Sequence, residues 1–422
     1  MGGVSIQDIA IRQARIFLAI ADSLSITRAA RTLNRSQTSV TKSLHDLEHQ
    51  LGVPLFDRTS KGVTLTVFGT CLLVRAREAA DAFAMAGELV PPASMQQSSS
   101  TARFFRMDVS DKWLDAFLAT TEHQNVAAAA EHLGLTPAAV SSSLRKLEDT
   151  LHITLFERTP NAIIPSAFGQ ALAKYVKLAR SQLRSARDEL HRLQGVNRGR
   201  VVVGTLPFVR TIIVPRAITC LLREHPYLDV STVEGPYEDL VAALRCGDID
   251  LMVGALRGSG TDGDLAEESI LTESLSAVVR AGHPLTHRRN LLWQDLLRYQ
   301  WILPRQGTPT RKLFERDLIE RGLAVPPHVI ETSSLVTLRG LLLESDRVTI
   351  LSRHQIRFEE QTGLLAALHF KLAGTERAIG ITRRKHGSLS PAADLLAEKV
   401  REAAAEFVEH RWSRATPIKM SV

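Results

Sequence analysis

Cysteine is scarce in this chain of 422 residues, and the three cysteines lie far apart in the sequence. Cys71, Cys220 and Cys246 show neither the close spacing of a metal site nor the even number of a disulfide framework. We therefore expect buried, reduced thiols, as in a cytoplasmic protein. The sequence also lacks a Gly-rich phosphate loop, a metal triad and a nucleophile motif. We accordingly expect no enzyme activity, no catalytic residue, no metal and no cofactor.

Long hydrophobic runs are absent as well. No stretch approaches the roughly 18 uncharged apolar residues of a membrane span. The segment MGGVSIQDIAIRQAR at the start lacks the basic-then-apolar order of a secretory signal, so we expect a cytoplasmic protein without a membrane partner. The composition, with 44% hydrophobic and 23% charged residues, is typical of globular domains. A net charge of +7 permits a polyanionic partner without identifying it.

The first half of the chain contains an internal repeat. Residues 14–70 align with residues 114–170 without a gap, and 18 of the 57 positions are identical. The shared positions include an Ala-Ala pair, a Leu-Glu pair and the run Leu-Phe-x-Arg-Thr. Such self-similarity at a fixed offset indicates a duplicated domain.

Each copy has the pattern of three helices followed by a hairpin, which predicts a winged helix-turn-helix. In the first copy, Ser25 and Ser36 are expected to cap the second and third helices. The polar face of the third helix lies where a recognition helix meets base edges, since Gln pairs well with adenine and Lys with guanine or phosphate. The predicted DNA-binding residues of the helix and wing are Arg35, Ser36, Gln37, Thr38, Thr41, Lys42, Arg58 and Lys61.

The segment FLAIADSLSITRAARTLNRSQTSVTKSLHDLEHQLGVPLFDRTSKGVTLTVFG at 17–69 resembles the LysR-type transcriptional regulators. The Ala-Ala pair, the Ser-Gln helix start, the Leu-Glu pair and the Leu-Phe-x-Arg-Thr wing all match that family. The resemblance resumes at 199–385. The second winged helix departs from the family pattern, because the family ordinarily has one.

The two copies differ in charge. Residues 11–66 contain eight Lys or Arg against four Asp or Glu, whereas residues 111–166 contain four against seven. Because phosphate contacts supply most non-specific affinity, the acidic second copy is a poor independent DNA binder. We expect the first copy to recognise DNA and the second to serve as a spacer or in dimerisation. The alternative is that both dock, with Ser141, Ser142 and Arg145 as further DNA-binding candidates.

A helix is predicted after each wing. The first is short and Ala-rich, ends at Pro91-Pro92, and is followed by a flexible polar linker at 93–103. The second has apolar residues in heptad rhythm, which favours a coiled-coil dimer helix over a helix packed on its own domain. These residues are Leu172, Val176, Ala179, Leu183, Ala186, Leu190 and Leu193. The resemblance implies the same, because a linker helix in this place forms the LysR-type dimer.

From residue 200 onward, strands alternate with helices, which predicts a parallel sheet with right-handed crossovers. The stretch VVVGTLPFVRTIIVPRAI and the later EGPYEDLVAALRCGDIDLMVG are similar to the effector domain of LysR-type regulators. The resemblance is greatest to the branch that regulates sugar and aromatic-acid catabolism, and it implies a two-lobed fold like that of periplasmic binding proteins. The second lobe is expected from about Ala281 to Ser352.

Ligands of open α/β sheets bind beyond the carboxyl ends of the strands, which selects four loops. Helix N-termini and an Arg there favour a carboxylate or several hydroxyls, and aromatic rings favour stacking on a sugar or ring. The expected effector-binding residues are Thr205, Pro207, Phe208, Gly235, Tyr237, Arg305, Thr308, Ser333 and Ser334. The alternative interpretation of each residue, as a helix cap or surface charge, stays open.

Together these patterns predict two winged-helix domains followed by an α/β two-lobed periplasmic-binding-protein-like domain. The expected ranges are 8–70 and 107–168 for the winged helices, 71–106 and 169–195 for the connecting segments, and 199–405 for the effector domain. The predicted function is ligand-responsive transcription regulation. The partners are double-stranded DNA, a sugar or organic-acid effector, and further copies in a homodimer or homotetramer. The alternative is a constitutive DNA-binding repressor whose C-terminal domain only oligomerises.

Overall fold

A computed structural model describes residues 8–60, 62–90, 99–159, 162–196, 198–258, 263–372, 374–385 and 387–408. Within these ranges the chain forms two winged helices, a pair of long helices that joins them, and a two-lobed α/β domain. No helix in the described ranges has the length and apolar character needed to cross a membrane. The predicted fold class is confirmed.

The first winged helix consists of three helices and a two-stranded hairpin. Its elements are α1 (Ile11–Ser23), α2 (Ile26–Thr32), α3 (Gln37–Leu51), β1 (Phe56–Thr59) and β2 (Gly62–Leu65). Both predicted caps are confirmed, because the Ser25 hydroxyl accepts from the Arg28 amide and the Ser36 hydroxyl from the Ser39 amide. These bonds satisfy amides that would otherwise lack partners at a helix start.

The second winged helix repeats this arrangement. Its elements are α6 (Asp111–His123), α7 (Val126–Leu133), α8 (Pro137–Leu151), β3 (Phe156–Arg158) and β4 (Ile163–Pro165). The repeated Leu-Glu pair has the same role in both copies. The Glu48 carboxylate accepts from the Leu55 amide at 2.7 Å, and Glu148 accepts from the Leu155 amide at the same distance. This bond fixes the start of each hairpin against the third helix.

The connection between the winged helices is partly helical. It contains α4 (Val67–Glu88) and the short α5 (Ser99–Phe104), so the prediction of a flexible linker at 93–103 is wrong for residues 99–103. Phe104 is fully buried against Phe83, and the Thr101 hydroxyl donates to the Leu151 carbonyl. These contacts hold α5 against both α4 and the second winged helix. Pro91, Pro92 and residues 93–98 lie outside the described residues.

The predicted heptad seam lies on α9 (Ala167–Leu193), and six of its seven residues are buried beside α4 of the same chain, whereas Leu193 is 47% exposed. The two helices run antiparallel, since Cys71 and Arg75 near the start of α4 contact Glu189 near the end of α9. The heptad pattern favoured a second copy as the partner of this seam. Within one chain, α4 supplies the apolar surface that a second copy was expected to supply.

The first lobe of the C-terminal domain is built on a mixed sheet in the order β6-β5-β7-β14-β8. Its elements are β5 (Gly199–Thr205), α10 (Ile213–Glu224), β6 (Leu228–Glu234), α11 (Tyr237–Cys246), β7 (Leu251–Ala255), β8 (Leu265–Glu273), β14 (Arg377–Arg384) and α16 (Pro391–Val408). Strands β5, β6 and β7 are parallel, as predicted. Strand β14, in contrast, is antiparallel to both β7 and β8, because it belongs to the chain that returns from the second lobe.

The second lobe is built on another mixed sheet, in the order β11-β10-β12-β9-β13. Its elements are β9 (Ser276–Arg280), α12 (Trp293–Leu296), β10 (Trp301–Leu303), α13 (Pro309–Glu320), β11 (Val329–Glu331), α14 (Leu335–Leu343), β12 (Val348–Leu351), α15 (Arg357–Gln361) and β13 (Leu365–Lys371). The predicted limits, Ala281 and Ser352, are therefore too narrow. Strands β9 and β13 pair antiparallel inside this sheet and extend the lobe at both ends.

A buried arginine joins the helix pair to the C-terminal domain. The side chain of Arg75 on α4 is 1% exposed. Its guanidinium donates to Glu189 and Gln182 on α9, and also to the carbonyl oxygens of Ser388 and Leu389, which precede α16. A buried guanidinium needs such partners, because an unpaired buried charge is costly. Arg75 therefore connects α4, α9 and the segment before α16 at one point.

A buried carboxyl group lies at the same junction. Asp188 on α9 is 5% exposed, packs beside Gly199 and accepts a hydrogen bond from the backbone of Arg200 at the start of β5. Burial raises the pKa of Asp188 to about 6, against the opposing effect of the adjacent Arg187 charge. The first strand of the C-terminal domain is thus joined to α9 through a proton-sensitive contact.

Two arginines on α4 provide a matched pair for a stability test. We expect Arg75→Ala to lower the free energy of unfolding by about 3–5 kcal/mol, because Glu189 loses its buried partner. Arg77→Ala should cost less than about 1 kcal/mol, because Arg77 and its partner Asp22 are both exposed. Urea unfolding followed by circular dichroism measures both, and equal losses would contradict the assigned role of Arg75.

The raised pKa of Asp188 predicts a pH-dependent stability. As the pH rises through about 6, the folded protein must hold a buried charge or keep a proton, so this residue's contribution to stability is lost. We expect Asp188→Asn to have a higher melting temperature than the parent at pH 8, and the same melting temperature only below the ordinary pKa of an aspartate, 3.8, where the carboxyl is protonated in the folded and the unfolded protein. A constant difference across this range would show that the Asp188 carboxyl does not titrate as described.

Candidate DNA interface and effector cleft

The exposed face of α3 presents a contiguous polar surface. The side chains of Gln37, Thr38, Thr41, Lys42 and His45 line one shallow depression on it, and the buried face of the same helix packs into the core through Val40, Leu44, Leu47 and Leu51. Helical periodicity separates the two faces. Four of the predicted DNA-binding residues are therefore brought together, and His45 joins them one turn further along.

Hydrogen bonds within the protein define the roles of Gln37 and Ser36 at the start of α3. The Thr27 hydroxyl donates to the Gln37 amide oxygen at 3.3 Å, which orients the amide at the start of α3. The Ser36 hydroxyl accepts from the Ser39 amide and from the Thr38 hydroxyl. Ser36 therefore acts as a helix cap in this structure. Arg35 is half-buried in the turn that precedes α3.

The wing is held against the helices by a close backbone contact. The Val63 amide donates to the Leu24 carbonyl at 3.2 Å. Gly62 has a φ of +138°, and a Cβ there would lie 2.5 Å from the same carbonyl oxygen, so only glycine fits. Arg58 is exposed on β1, directly opposite Val63. The predicted wing residue Lys61 lies outside the described residues.

The corresponding face of the second winged helix has less capacity for base contacts. Pro137 and Ala138 occupy the positions equivalent to Gln37 and Thr38. The further candidates Ser141 and Ser142 are half-buried, whereas Arg145 and the adjacent Lys146 are exposed. This face offers two cations but no side-chain amide at the helix start.

In the first lobe, the predicted effector residues follow β5 and β6, which are adjacent parallel strands. Thr205 is 1% exposed, and its hydroxyl and carbonyl accept hydrogen bonds from Arg210. Pro207 begins a short 3₁₀ turn that directs Phe208 into the core. The centre of the Phe208 ring lies 6.1 Å from the centre of the Phe407 ring. Phe208 is 5% exposed, so the prediction that it stacks on a ligand is wrong.

Two arginines in this lobe were not predicted from the sequence. The guanidinium of Arg257, which follows β7, lies 4.3 Å from the ring centre of Tyr237 at the start of α11. Arg210 pairs with Glu234 at 3.1 Å, and burial lowers its pKa. Gly235 lies between Glu234 and α11. Both arginines follow the end of a strand, and this position is the sequence signal that could have identified them.

In the second lobe, the candidates follow β10 and β11, which are also adjacent and parallel. Arg305 is exposed, and the Thr308 hydroxyl caps α13 by accepting from the Arg311 amide. Ser334 caps α14 in the same way, and Ser333 is exposed beside it. The interpretation as helix caps, left open from the sequence, therefore holds for Thr308 and Ser334. Both helix N-termini lie at the carboxyl edge of this sheet.

The two lobes meet at the start of α13. Arg377 on β14 of the first lobe donates to the Thr310 hydroxyl on α13 at 2.7 Å and pairs with Glu273 at the end of β8. Burial raises the pKa of Glu273, and the Arg377 charge opposes this shift. The N-terminus of α13 therefore faces the crossing between the lobes. Among the described residues, no group of three or more His, Cys, Asp or Glu is arranged to hold a metal.

Comparison with protein-family models matches almost the whole of this architecture. The family described as "Bacterial regulatory helix-turn-helix protein, lysR family" matches twice, at residues 11–70 and 112–170. The family described as "LysR substrate binding domain" matches residues 194–405. The duplication inferred from the sequence is thus present as two separate matches to one family.

Similar proteins are known over most of the chain. The HTH-type transcriptional regulator GalR of Pseudomonas putida is 34% identical over 396 residues, which cover 94% of this chain and 98% of that protein. This alignment is long enough to include both winged helices. The HTH-type transcriptional regulator PcaQ of Agrobacterium fabrum is 31% identical over 298 residues, covering 71% of this chain and 96% of that protein.

Solved structures show the same fold. A full-length OxyR variant from Pseudomonas aeruginosa matches with a TM-score of 0.54 and 21% identity, covering 70% of this chain and 95% of that chain. Full-length CbnR in complex with its target DNA matches with a TM-score of 0.50 and 20% identity, covering 70% of this chain and all of that chain. Through its family matches and relatives, the chain belongs to the LysR family of DNA-binding transcriptional regulators, in which a helix-turn-helix part is joined to an effector-binding domain.

Proposed function

We propose that the first winged helix recognises the operator, with α3 in the major groove and the wing beside the phosphate backbone. The observation that carries this proposal is the depression lined by Gln37, Thr38, Thr41, Lys42 and His45 on the exposed face of α3. Gln37 and Lys42 supply base-edge contacts, and Arg58 and Lys61 supply charge for phosphates. Arg35 lies at the turn that enters α3.

The effector, in this proposal, binds between the two lobes and is an organic acid or a sugar. On the first lobe, Tyr237 and the adjacent Arg257 present an aromatic ring with a cation over its face. On the second lobe, the N-termini of α13 and α14 favour anionic or hydroxyl groups. Thr205, Pro207 and Gly235 shape the first side of the cleft, and Arg305, Thr308, Ser333 and Ser334 shape the second.

Effector binding then favours one of the pre-existing arrangements of the lobes and helix pair, and so changes the contacts with DNA. Arg75 contacts both α9 and the segment before α16, so it connects the winged-helix half of the protein with the effector domain. We propose that the protein acts in the cytoplasm as a regulator without enzymatic turnover of its effector. A constitutive repressor would instead show no ligand-dependent change in stability or DNA binding.

The repeat supplies a matched control for the DNA-binding proposal. We expect Gln37→Ala with Lys42→Ala to weaken binding to the selected operator by a hundredfold or more, because each lost base contact is worth about 1–3 kcal/mol. Pro137→Ala with Ser142→Ala, at the equivalent positions of α8, should change affinity less than threefold. Fluorescence anisotropy at fixed salt measures both, and equal losses would contradict recognition by α3.

The effector proposal is tested by thermal stabilisation. A panel of simple sugars and aromatic or aliphatic carboxylic acids is added to the full-length protein, and the melting temperature is recorded. A ligand at a hundred times its Kd should stabilise the fold by about 2.7 kcal/mol. Arg305→Ala should remove most of this effect. Arg298→Ala should leave it unchanged, because Arg298 precedes β10 and lies at the opposite end of that strand.

The absence of any stabilising compound in the panel would favour the constitutive repressor. Equal loss in the Arg305 and Arg298 variants would place the binding site elsewhere. Conversion of the stabilising compound into another product by the purified protein would contradict a purely regulatory role.

A further inference from the structure

Contacts between the two winged helices indicate an approximate two-fold axis that relates them within one chain. The Ile11 amide donates to the Asp111 carboxylate at 3.1 Å, and these residues occupy equivalent positions, one hundred residues apart. Equivalent residues of a repeat touch each other only close to an axis that exchanges the two copies. The antiparallel pairing of α4 with α9 is consistent with the same axis.

Charged pairs across this axis hold the two copies together. Arg15 in the first copy contacts Asp108, just before the second, at 2.8 Å. Asp8, just before the first copy, contacts Arg187 on α9 at 2.6 Å. Together with the buried seam of α4 and α9, these contacts form a complete interface inside one chain. The seam is covered from Leu172 to Leu190, so of its seven residues Leu193 alone is exposed to another copy.

The two recognition helices are unequal in what they offer to DNA. The α3 face has Gln37 and Lys42 at its start, in a copy with an excess of basic residues. The α8 face has Pro137 at its start, in a copy with an excess of acidic residues, and its exposed cations Arg145 and Lys146 come two turns later. The second face therefore lacks a side-chain amide or cation at its helix start, where a recognition helix meets base edges, and its cations lie further along, where they are suited to contacting phosphates.

We propose that a single chain binds duplex DNA as an internal pseudo-dimer, with α3 specifying one half of the site and α8 contacting only the phosphate backbone of the other half. The operator of one chain is then asymmetric: one half has a defined sequence, and the other must be present as duplex but has no sequence requirement. This proposal rests on the proposed recognition by α3.

Cross-linking tests whether the pairing lies within one chain. Asp8→Cys and Arg187→Cys are combined in the full-length protein, and a short bismaleimide is added at low protein concentration. A link between these positions should leave the chain at its monomer mass of 46.5 kDa on a denaturing gel, and peptide mass spectrometry should find residues 8 and 187 joined. Variants that carry only one of the two added cysteines control for reaction of the native cysteines. A link between residues 8 and 187 found in a species of doubled mass would overturn the proposal.

DNA selected with the full-length protein tests the asymmetry. Randomising the half contacted by α3 should weaken binding by about a thousandfold, the usual gap between specific and non-specific affinity. Randomising the other half should change affinity less than threefold, whereas deleting that half as duplex should weaken binding about tenfold or more, because its phosphate contacts are lost. A sequence requirement in both halves would overturn the proposal.

A combination of protein and DNA changes identifies the contact. On DNA that contains both half-sites, the double variant Arg145→Ala with Lys146→Ala should reduce the slope of log Kd against log salt concentration by about two. On DNA from which the half contacted by α8 has been deleted, the same variant should leave this slope unchanged. Arg288→Ala with Arg289→Ala, in the second lobe, serves as the control and should leave both slopes unchanged. An equal effect of the Arg145 and Lys146 changes on both sites, or none on either, would overturn the role of α8. If the Gln37 and Lys42 variant also retained full affinity, the proposed recognition by α3 would itself be wrong.

Discussion

The packing of α4 against α9 is the contact on which the rest of this molecule depends. It closes a long apolar seam, holds the two winged helices together, and carries Arg75 and Asp188 to the junction with the C-terminal domain. Apolar burial stabilises the pair, whereas the buried charges determine its register, because each of them needs a specific partner. The positions of α3 and α8 relative to the effector domain are consequences of this one interface.

Much of the N-terminal half could be predicted from the sequence, because its determinants are local. The helix caps at Ser25 and Ser36, the polar face of α3 and the two hairpins follow from short-range spacing. The partner of the α9 seam could not be predicted in this way. A heptad pattern shows that one face of a helix must be covered, and Ala76, Ala79 and Phe83 of α4 cover it here, but the pattern does not state whether the covering chain is the same one.

The C-terminal half was less predictable, since its architecture depends on long-range pairing. The alternation of strands and helices identified the parallel core strands, but β9, β13 and β14 pair across large sequence distances and run antiparallel to their neighbours. Proximity to a strand end selected the cleft loops, yet it could not tell which side chains turn inward. Phe208 packs on Phe407, and Arg257 lies over Tyr237, because the conformation of each loop directs them there.

The contact between Ile11 and Asp111 has a consequence for how such a protein evolves. In a unit assembled from two identical chains, one codon specifies both halves, so every substitution appears twice and the target sequence must stay palindromic. Here each half has its own codons, and a change at position 37 leaves position 137 untouched. Selection can therefore act on one half alone while the other accumulates changes, and the opposite charge balance of the two copies is the outcome expected of that freedom.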